Sequence, residues 1–216
     1  MYLSRITLHT SQLSPSQLLN MVERGEYVMH QWLWALFPDE QERQYLYRRE
    51  EVQGAFRFFV LSAKPPVSDD LFRIECRAFS PELRVGQRLR FSLRANPTIC
   101  KTGKRHDLLM DAKRRAKACP DGETIWFHQQ QAAQKWLASQ GEQHGFSLSE
   151  VNVDSYRQQQ IIRGKSRPPI QFSSVDYSGV LQINEPDLFL QRLMQGYGKS
   201  RAFGCGLMLI KPGDGE

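Results

Sequence analysis

Metal-ligand spacing is missing from this 216-residue chain. The four cysteines, Cys76, Cys100, Cys119 and Cys205, form no C-x-x-C pair, and the five histidines supply no H-E-x-x-H. The common zinc frameworks are thereby excluded, and no disulfide scaffold is suggested. Free thiols in a reducing compartment are the expectation. No G-x-S-x-G elbow marks a serine hydrolase, and paired carboxylates in an apolar setting are absent. No apolar run approaches the roughly 20 residues that span a bilayer. Met1-Tyr-Leu-Ser-Arg-Ile lacks the charged-then-apolar layout of a signal peptide. A cytoplasmic protein with no membrane partner is expected, and neither a cofactor nor a metal is implied.

Acids are scarce where cations gather. The chain carries 29 Lys and Arg against 23 Asp and Glu. Ten of those cations lie between Arg88 and Lys117, where only Asp107 and Asp111 offset them. A second run, Arg157, Arg163, Lys165 and Arg167, has no acid from residue 156 to 171. One such run is usually a solvated face. Two of them in a chain of this size favour a polyanionic partner, and nucleic acid is the better expectation.

Hydrophobic spacing orders the elements. Residues 2–10 alternate as a strand. Ser14-Pro15 starts a helix that Gly25 divides and Pro38 stops. Two strand-like runs, 44–52 and 55–63, meet at Gln53-Gly54. Residues 68–70 either cap a short helix or lead directly into a strand over 72–79. This order, β-α-β-β-(α)-β, is the ferredoxin-like layout. From 86 to 100, Leu89, Phe91 and Leu93 alternate with Arg88, Arg90 and Arg94, giving one apolar and one cationic face. Residues 102–122 read as a long basic loop. A helix over 124–139, a strand pair 146–162 and 170–183, a helix over 186–195 and a strand over 206–211 repeat the same order. The chain is therefore read as α+β, two tandem ferredoxin-like (RRM-like) domains, 1–85 and 86–216.

Eleven residues near the end, Gly196-Tyr-Gly-Lys-Ser-Arg-Ala-Phe-Gly-Cys-Gly206, combine four glycines with two cations. Such a ribbon can approach a phosphate through its N–H groups and through Lys199 and Arg201. It follows a helix and enters a strand, the reverse of a nucleotide-binding glycine motif, which argues against a nucleotide cofactor. The plainer alternative is a helix cap and a connecting loop. Among the histidines, His30 stands out because Tyr27 lies three residues before it on the same helix side. RNA carries its own nucleophile, the 2′-hydroxyl, so a cleaving site needs a base, an acid and cations. His30, Tyr27 and Lys199 have that chemistry.

Four stretches, Met1-Tyr-Leu-Ser-Arg5, Tyr27-Val-Met-His-Gln-Trp-Leu-Trp-Ala-Leu-Phe-Pro38, Phe91-Ser-Leu-Arg-Ala-Asn-Pro97 and Gly204-Cys-Gly-Leu207, resemble the CasE family of type I-E CRISPR endoribonucleases. The resemblance spans the chain and is weakest over 101–122. It implies tandem ferredoxin-like domains, metal-independent cleavage of precursor CRISPR RNA and membership of the Cascade complex. The family's histidine falls on His30, its tyrosine on Tyr27 and its glycine-rich loop on 196–206. Lys199 is then a third catalytic candidate, with Gly196, Gly198, Ser200, Arg201, Gly204 and Gly206 lining the RNA path. Arg157, Arg163, Lys165 and Arg167 are expected to grip the stem, and Arg90 and Arg94 form a second cationic face. A stem-loop RNA-binding or scaffold subunit without catalysis is the rival reading.

Overall fold

The computed structural model describes residues 1–38, 44–163 and 167–213. Two compact units result. The first holds Met1–Pro81, Gln159–Gln171 and Arg201–Gly204, and the second holds Glu82–Gln158, Phe172–Ser200 and Cys205–Glu216. The first changeover in chain order is at Pro81. Two later segments join the first unit from the second half of the sequence.

In the first unit, strand β1 (Tyr2–His9) is followed by helices α1 (Pro15–Arg24) and α2 (Glu26–Ala35), then by β2 (Tyr45–Val52), β3 (Ala55–Ser62) and β4 (Phe72–Ala78). Helix α1 starts where Ser14 and Pro15 direct it. The Ser14 hydroxyl accepts from the Gln17 N–H, and the Gln17 side chain accepts from the Ser14 N–H, a reciprocal capping box. Such a cap contributes about 1 kcal/mol. Gly25 closes α1 by donating to the Met21 carbonyl, and α2 begins at once. The strands order as β2-β3-β1-β4, all antiparallel. Alternation along them puts Ile6, Leu8, Tyr45, Tyr47, Phe58, Val60 and Phe72 into one core with Met29, Leu33 and Leu36 of α2 and its C-terminal end. Between β3 and β4 no helix forms: the Asp69 carboxylate accepts from the Leu71 N–H and turns the chain straight into β4. Of the two readings of residues 68–70, the lead into a strand is the one observed.

The second unit repeats the plan with an insertion. Its elements are β5 (Arg88–Ala95), β6 (Thr98–Lys101), β7 (Lys104–Asp107), α3 (Leu108–Ala118), α4 (Ile125–Gln143), β8 (Phe146–Ile161), β9 (Ile170–Ile183), α5 (Pro186–Gln195) and β10 (Met208–Pro212). The main sheet orders as β10-β5-β9-β8, and β6-β7 form a separate hairpin. With the insertion set aside, both units show the ferredoxin-like strand order. Leu93, Val175, Tyr177 and Leu181 are buried with Ala133 and Leu137 of α4 and Phe189 and Leu193 of α5.

Two expectations need correction. The long loop over 102–122 is in fact a turn, strand β7 and the eleven-residue helix α3. The helix expected over 124–139 runs on through Gly141 to Gln143. A Cβ at position 141 would lie 2.4 Å from the Phe146 carbonyl oxygen, so glycine there serves the close approach of α4 to β8, not a helix stop.

Candidate functional site

Helix α2 faces two ways. Val28, Met29 and Leu33 are buried in the first unit's core. Tyr27, His30 and Trp34 lie on its half-buried flank. Tyr27 and His30 are three residues apart and share a side of the helix. The His30 imidazole lies 6.0 Å from the Trp34 ring at 75°, and 5.5 Å from the Phe203 ring at 51°. Phe203 closes the 3-10 turn Arg201–Phe203, the middle of the glycine-rich ribbon. Sequence spacing alone placed Tyr27 beside His30. The fold adds the ribbon's central turn to the same group.

The ribbon is pinned on both flanks. At its start, Gly196 caps α5 by donating to the Arg192 carbonyl, and Tyr197 N–H donates to Gly206 O at 3.0 Å. Lys199 N–H donates to Asn96 O at 3.0 Å, and the Asn96 side chain donates to the Ser200 hydroxyl at 2.7 Å. At its end, Gly206 N–H donates to Arg94 O at 2.7 Å. Gly198 has φ +73°, and a Cβ there would sit 2.7 Å from Asn96 O, so only glycine lets the ribbon lie this close to β5. The amides of Gly196, Tyr197, Lys199 and Gly206 are thus engaged with backbone carbonyls. The ribbon's cations, Lys199 and Arg201, are side-chain donors of positive charge, and Lys199 is exposed. That narrows the expectation of a phosphate cradle built from the ribbon's N–H groups: these four amides already have acceptors.

The cationic candidates separate by environment. Arg90 is exposed on the outer face of β5. Arg94, on the same face, is paired with Asp176 through two hydrogen bonds of 2.7 and 3.0 Å. Asp176 also accepts from the Ser155 hydroxyl at 2.8 Å. Arg157 is exposed on β8 in the second unit. Arg163 belongs to the first unit and donates twice to Pro168 O, at 3.2 and 2.9 Å. Arg167 is exposed, and Lys165 lies outside the described residues.

Helix α3 is the basic element that sequence reasoning missed. It carries Lys113, Arg114, Arg115 and Lys117, and the hairpin before it carries Lys101, Lys104, Arg105 and His106. The Asp107 carboxylate caps α3 by accepting from Leu109 and Met110 N–H at 2.8 and 2.9 Å. Its other oxygen accepts from the Tyr156 hydroxyl of β8 at 2.9 Å. Burial, with the Asp107 carboxylate beside it, pushes the Tyr156 phenol up to about 12. One turn on, buried Asp111 takes Lys101 at 2.7 Å, Arg114 at 3.0 Å and Arg115 at 3.2 Å. The hydrogen bond from Lys101 holds that carboxyl below the usual carboxylate range, and the arginines add to the effect against burial. A depression of about 430 Å³ lies beside the helix, lined by His106, Asp107, Met110, Asp111, Lys113, Arg114 and Lys117. The signal for α3 was present in the sequence. Asp107 is a capping residue, and Leu108, Leu109, Ala112 and Ala116 recur at helical spacing. Charge density masked so short a stripe.

Among the described residues, no group of three His, Cys, Asp or Glu side chains is arranged to hold a metal ion. No helix among them is long and apolar enough to cross a membrane.

A model of the family described as CRISPR associated protein matches residues 1–212. The CRISPR system Cascade subunit CasE of Escherichia coli (strain K12) is 31% identical over 197 residues, covering 88% of this chain and 93% of its own length. The CRISPR-associated endoribonuclease Cse3 of Thermus thermophilus is 30% identical over 148 residues, covering 63% of this chain and 61% of its own. A solved structure of CRISPR endoribonuclease Cse3 bound to a 19-nucleotide RNA aligns with a TM-score of 0.75 at 25% identity, covering 98% of this chain and all of that one.

Proposed function

The chain belongs to the CRISPR-associated protein family that includes CasE and Cse3, and on that premise we propose that it cleaves precursor CRISPR RNA. Its substrate is the stem-loop of the repeat, cut once near the 3′ base of the stem. It stays bound to the product as a subunit of a cytoplasmic Cascade complex. The observation that carries the reading is the grouping on α2: His30 and Tyr27 share one side, and His30 packs against the turn that bears Arg201 and Phe203.

The chemistry balances with groups of the chain and the RNA alone. The 2′-oxygen upstream of the cut attacks the phosphorus and loses its proton. The bond from phosphorus to the 5′-oxygen breaks, and that oxygen takes up a proton. The ends are a 2′,3′-cyclic phosphate, or the 3′-phosphate from its hydrolysis, and a 5′-hydroxyl. His30 transfers one of these protons, as acid or base. Tyr27 orients or protonates beside it. Lys199, two residues before the Arg201–Phe203 turn, steadies the charge that builds on the phosphate.

The stem is held by its phosphates. A-form RNA hides its bases in a narrow major groove, so shape and charge dominate recognition. Arg157 on β8, Arg163 and Arg167 between β8 and β9, Lys165 of the same sequence run, Arg90 on β5 and the cationic side of α3 supply that charge. Arg94 contributes through Asp176, holding the outer face of the sheet in register, and Gly196, Gly198, Ser200, Arg201, Gly204 and Gly206 shape the ribbon the RNA passes.

The test is direct. His30→Ala is expected to abolish cleavage of a labelled repeat hairpin while its Kd stays within a few-fold. Unchanged cleavage removes His30 from the centre and leaves a stem-loop binder.

A further inference from the structure

We propose that strand β2 is the positioning element of the catalytic group, with Tyr47 as its central residue. The proposal rests on the assignment of His30 to catalysis. It adds what holds the imidazole in place.

Tyr45, Tyr47 and Arg49 are alternate residues of β2 and project from the same side of the strand. Each grips a different part of the site. Arg49 pairs with Glu26, in the first turn of α2, at 2.9 Å. The Tyr45 ring lies 6.5 Å from Trp34, in the last turn of the same helix, edge to face at 68°. Tyr47 reaches the ribbon. Its hydroxyl donates to the Ala202 carbonyl at 3.2 Å, and its ring lies under Gly204. A Cβ on Gly204 would approach that ring to 3.3 Å, at a φ of +78° that side chains avoid.

These contacts close into a circuit. His30 touches Trp34 on one side and Phe203 on the other, at 6.0 and 5.5 Å between rings. Trp34 meets Tyr45, Tyr45 lies 6.3 Å from Tyr47, and Tyr47 holds Ala202, the neighbour of Phe203. The imidazole is therefore bracketed between two aromatic rings, and both are registered from one strand. Tyr47 is 4% exposed and belongs to the first unit's core, with its hydroxyl engaged by Ala202 O, so its part is to hold the ribbon and not to meet the RNA. It is a positioning residue: it seats Phe203 and so fixes the orientation of the His30 ring. Small misplacement of a proton-transfer group is costly, since about 1 Å can lower a rate about a hundredfold.

The experiment compares wild type, Tyr47→Phe, Phe203→Leu, Gly204→Ala and His30→Ala in single-turnover cleavage of a repeat hairpin, with Kd measured separately. It also follows the His30 ring by 1H–13C NMR of histidine-labelled protein, with the resonance assigned from the His30→Ala spectrum. Tyr47→Phe keeps the buried ring and removes only the hydroxyl. The expected result is a rate constant lower by about five- to tenfold, one hydrogen bond's worth, with reaction amplitude and Kd unchanged and the His30 resonance displaced. Phe203→Leu is expected to displace the same resonance and lower the same rate constant. Gly204→Ala is expected to act more strongly on both. A loss of amplitude at constant rate would mark partial unfolding and overturn the positioning role. An unmoved His30 resonance in both Tyr47→Phe and Phe203→Leu would also overturn it. If His30→Ala still cleaves, the catalytic assignment fails, and the NMR arm still decides whether Tyr47 sets the ring.

Discussion

At the scale of single residues, Asp111 shows how a carboxylate organises a basic surface. It is buried, and three cations converge on it from the β6-β7 hairpin and from its own helix. Its carboxyl is held below the usual range, first by the Lys101 hydrogen bond. A depressed carboxylate contributes stability that is fully present above the unfolded value of about 3.9 and is lost as pH falls through the folded value. Asp111→Asn should therefore destabilise the protein at pH 7 by about 1–3 kcal/mol. That gap should shrink steadily below about pH 4. Urea melts of both proteins at pH 7 and pH 3 check it, and a gap of constant size would contradict the electrostatic role. That His30 and Tyr27 share a side of α2 was legible at this scale because helical spacing is local. Phe203 was not, since it lies more than 150 positions from His30 in the sequence and only the fold brings the ribbon's central turn to α2.

Among the elements, α3 is where sequence reasoning and structure part. Its apolar stripe is short, and four of its eleven residues are Lys or Arg, so the segment reads as solvated loop. The helix stands because its start is capped by Asp107, its inner side buries Leu108, Leu109 and Ala112, and Tyr156 ties the cap to β8. By contrast, α1, the β2-β3 pair and the β8-β9 pair were readable, because a cap motif, a Gln-Gly turn and strict alternation each act over a few residues. If α3 grips the stem through phosphates, Lys117→Ala should weaken binding of the repeat hairpin about three- to tenfold near 0.1 M salt. The slope of log affinity against log salt should fall by about 1. Filter binding across 50–300 mM salt reads both, and an unchanged slope would take Lys117 off the RNA path. The cap makes a separate prediction: Asp107→Ala should cost about 1–2 kcal/mol of stability and weaken RNA binding with it, seen by thermal melting alongside the same binding assay.

For the whole molecule, the ferredoxin-like order was readable twice because each unit buries one face of a four-stranded sheet under helices, and that pattern leaves a periodic trace. The membership of each segment was harder to read. Residues 159–171 and 201–204 belong to the first unit although the chain reaches them late. The glycine-rich ribbon thereby brings its central turn to the unit that carries His30. On the proposed function, His30, Tyr27 and the cationic ribbon would act on a nucleophile that the RNA itself supplies. Because no step needs a group from outside the chain and the RNA, cleavage should persist in excess EDTA.

The most direct measurement uses purified protein, excess EDTA and two labelled repeat hairpins that differ by a single atom, the 2′-oxygen upstream of the cut. Attack by the RNA's own 2′-hydroxyl without a metal requires that the all-ribose hairpin be cleaved to a 5′-hydroxyl product while the 2′-deoxy hairpin is bound equally well and left intact. Cleavage of the deoxy hairpin, or none of the ribose hairpin until a divalent metal is added, would contradict it.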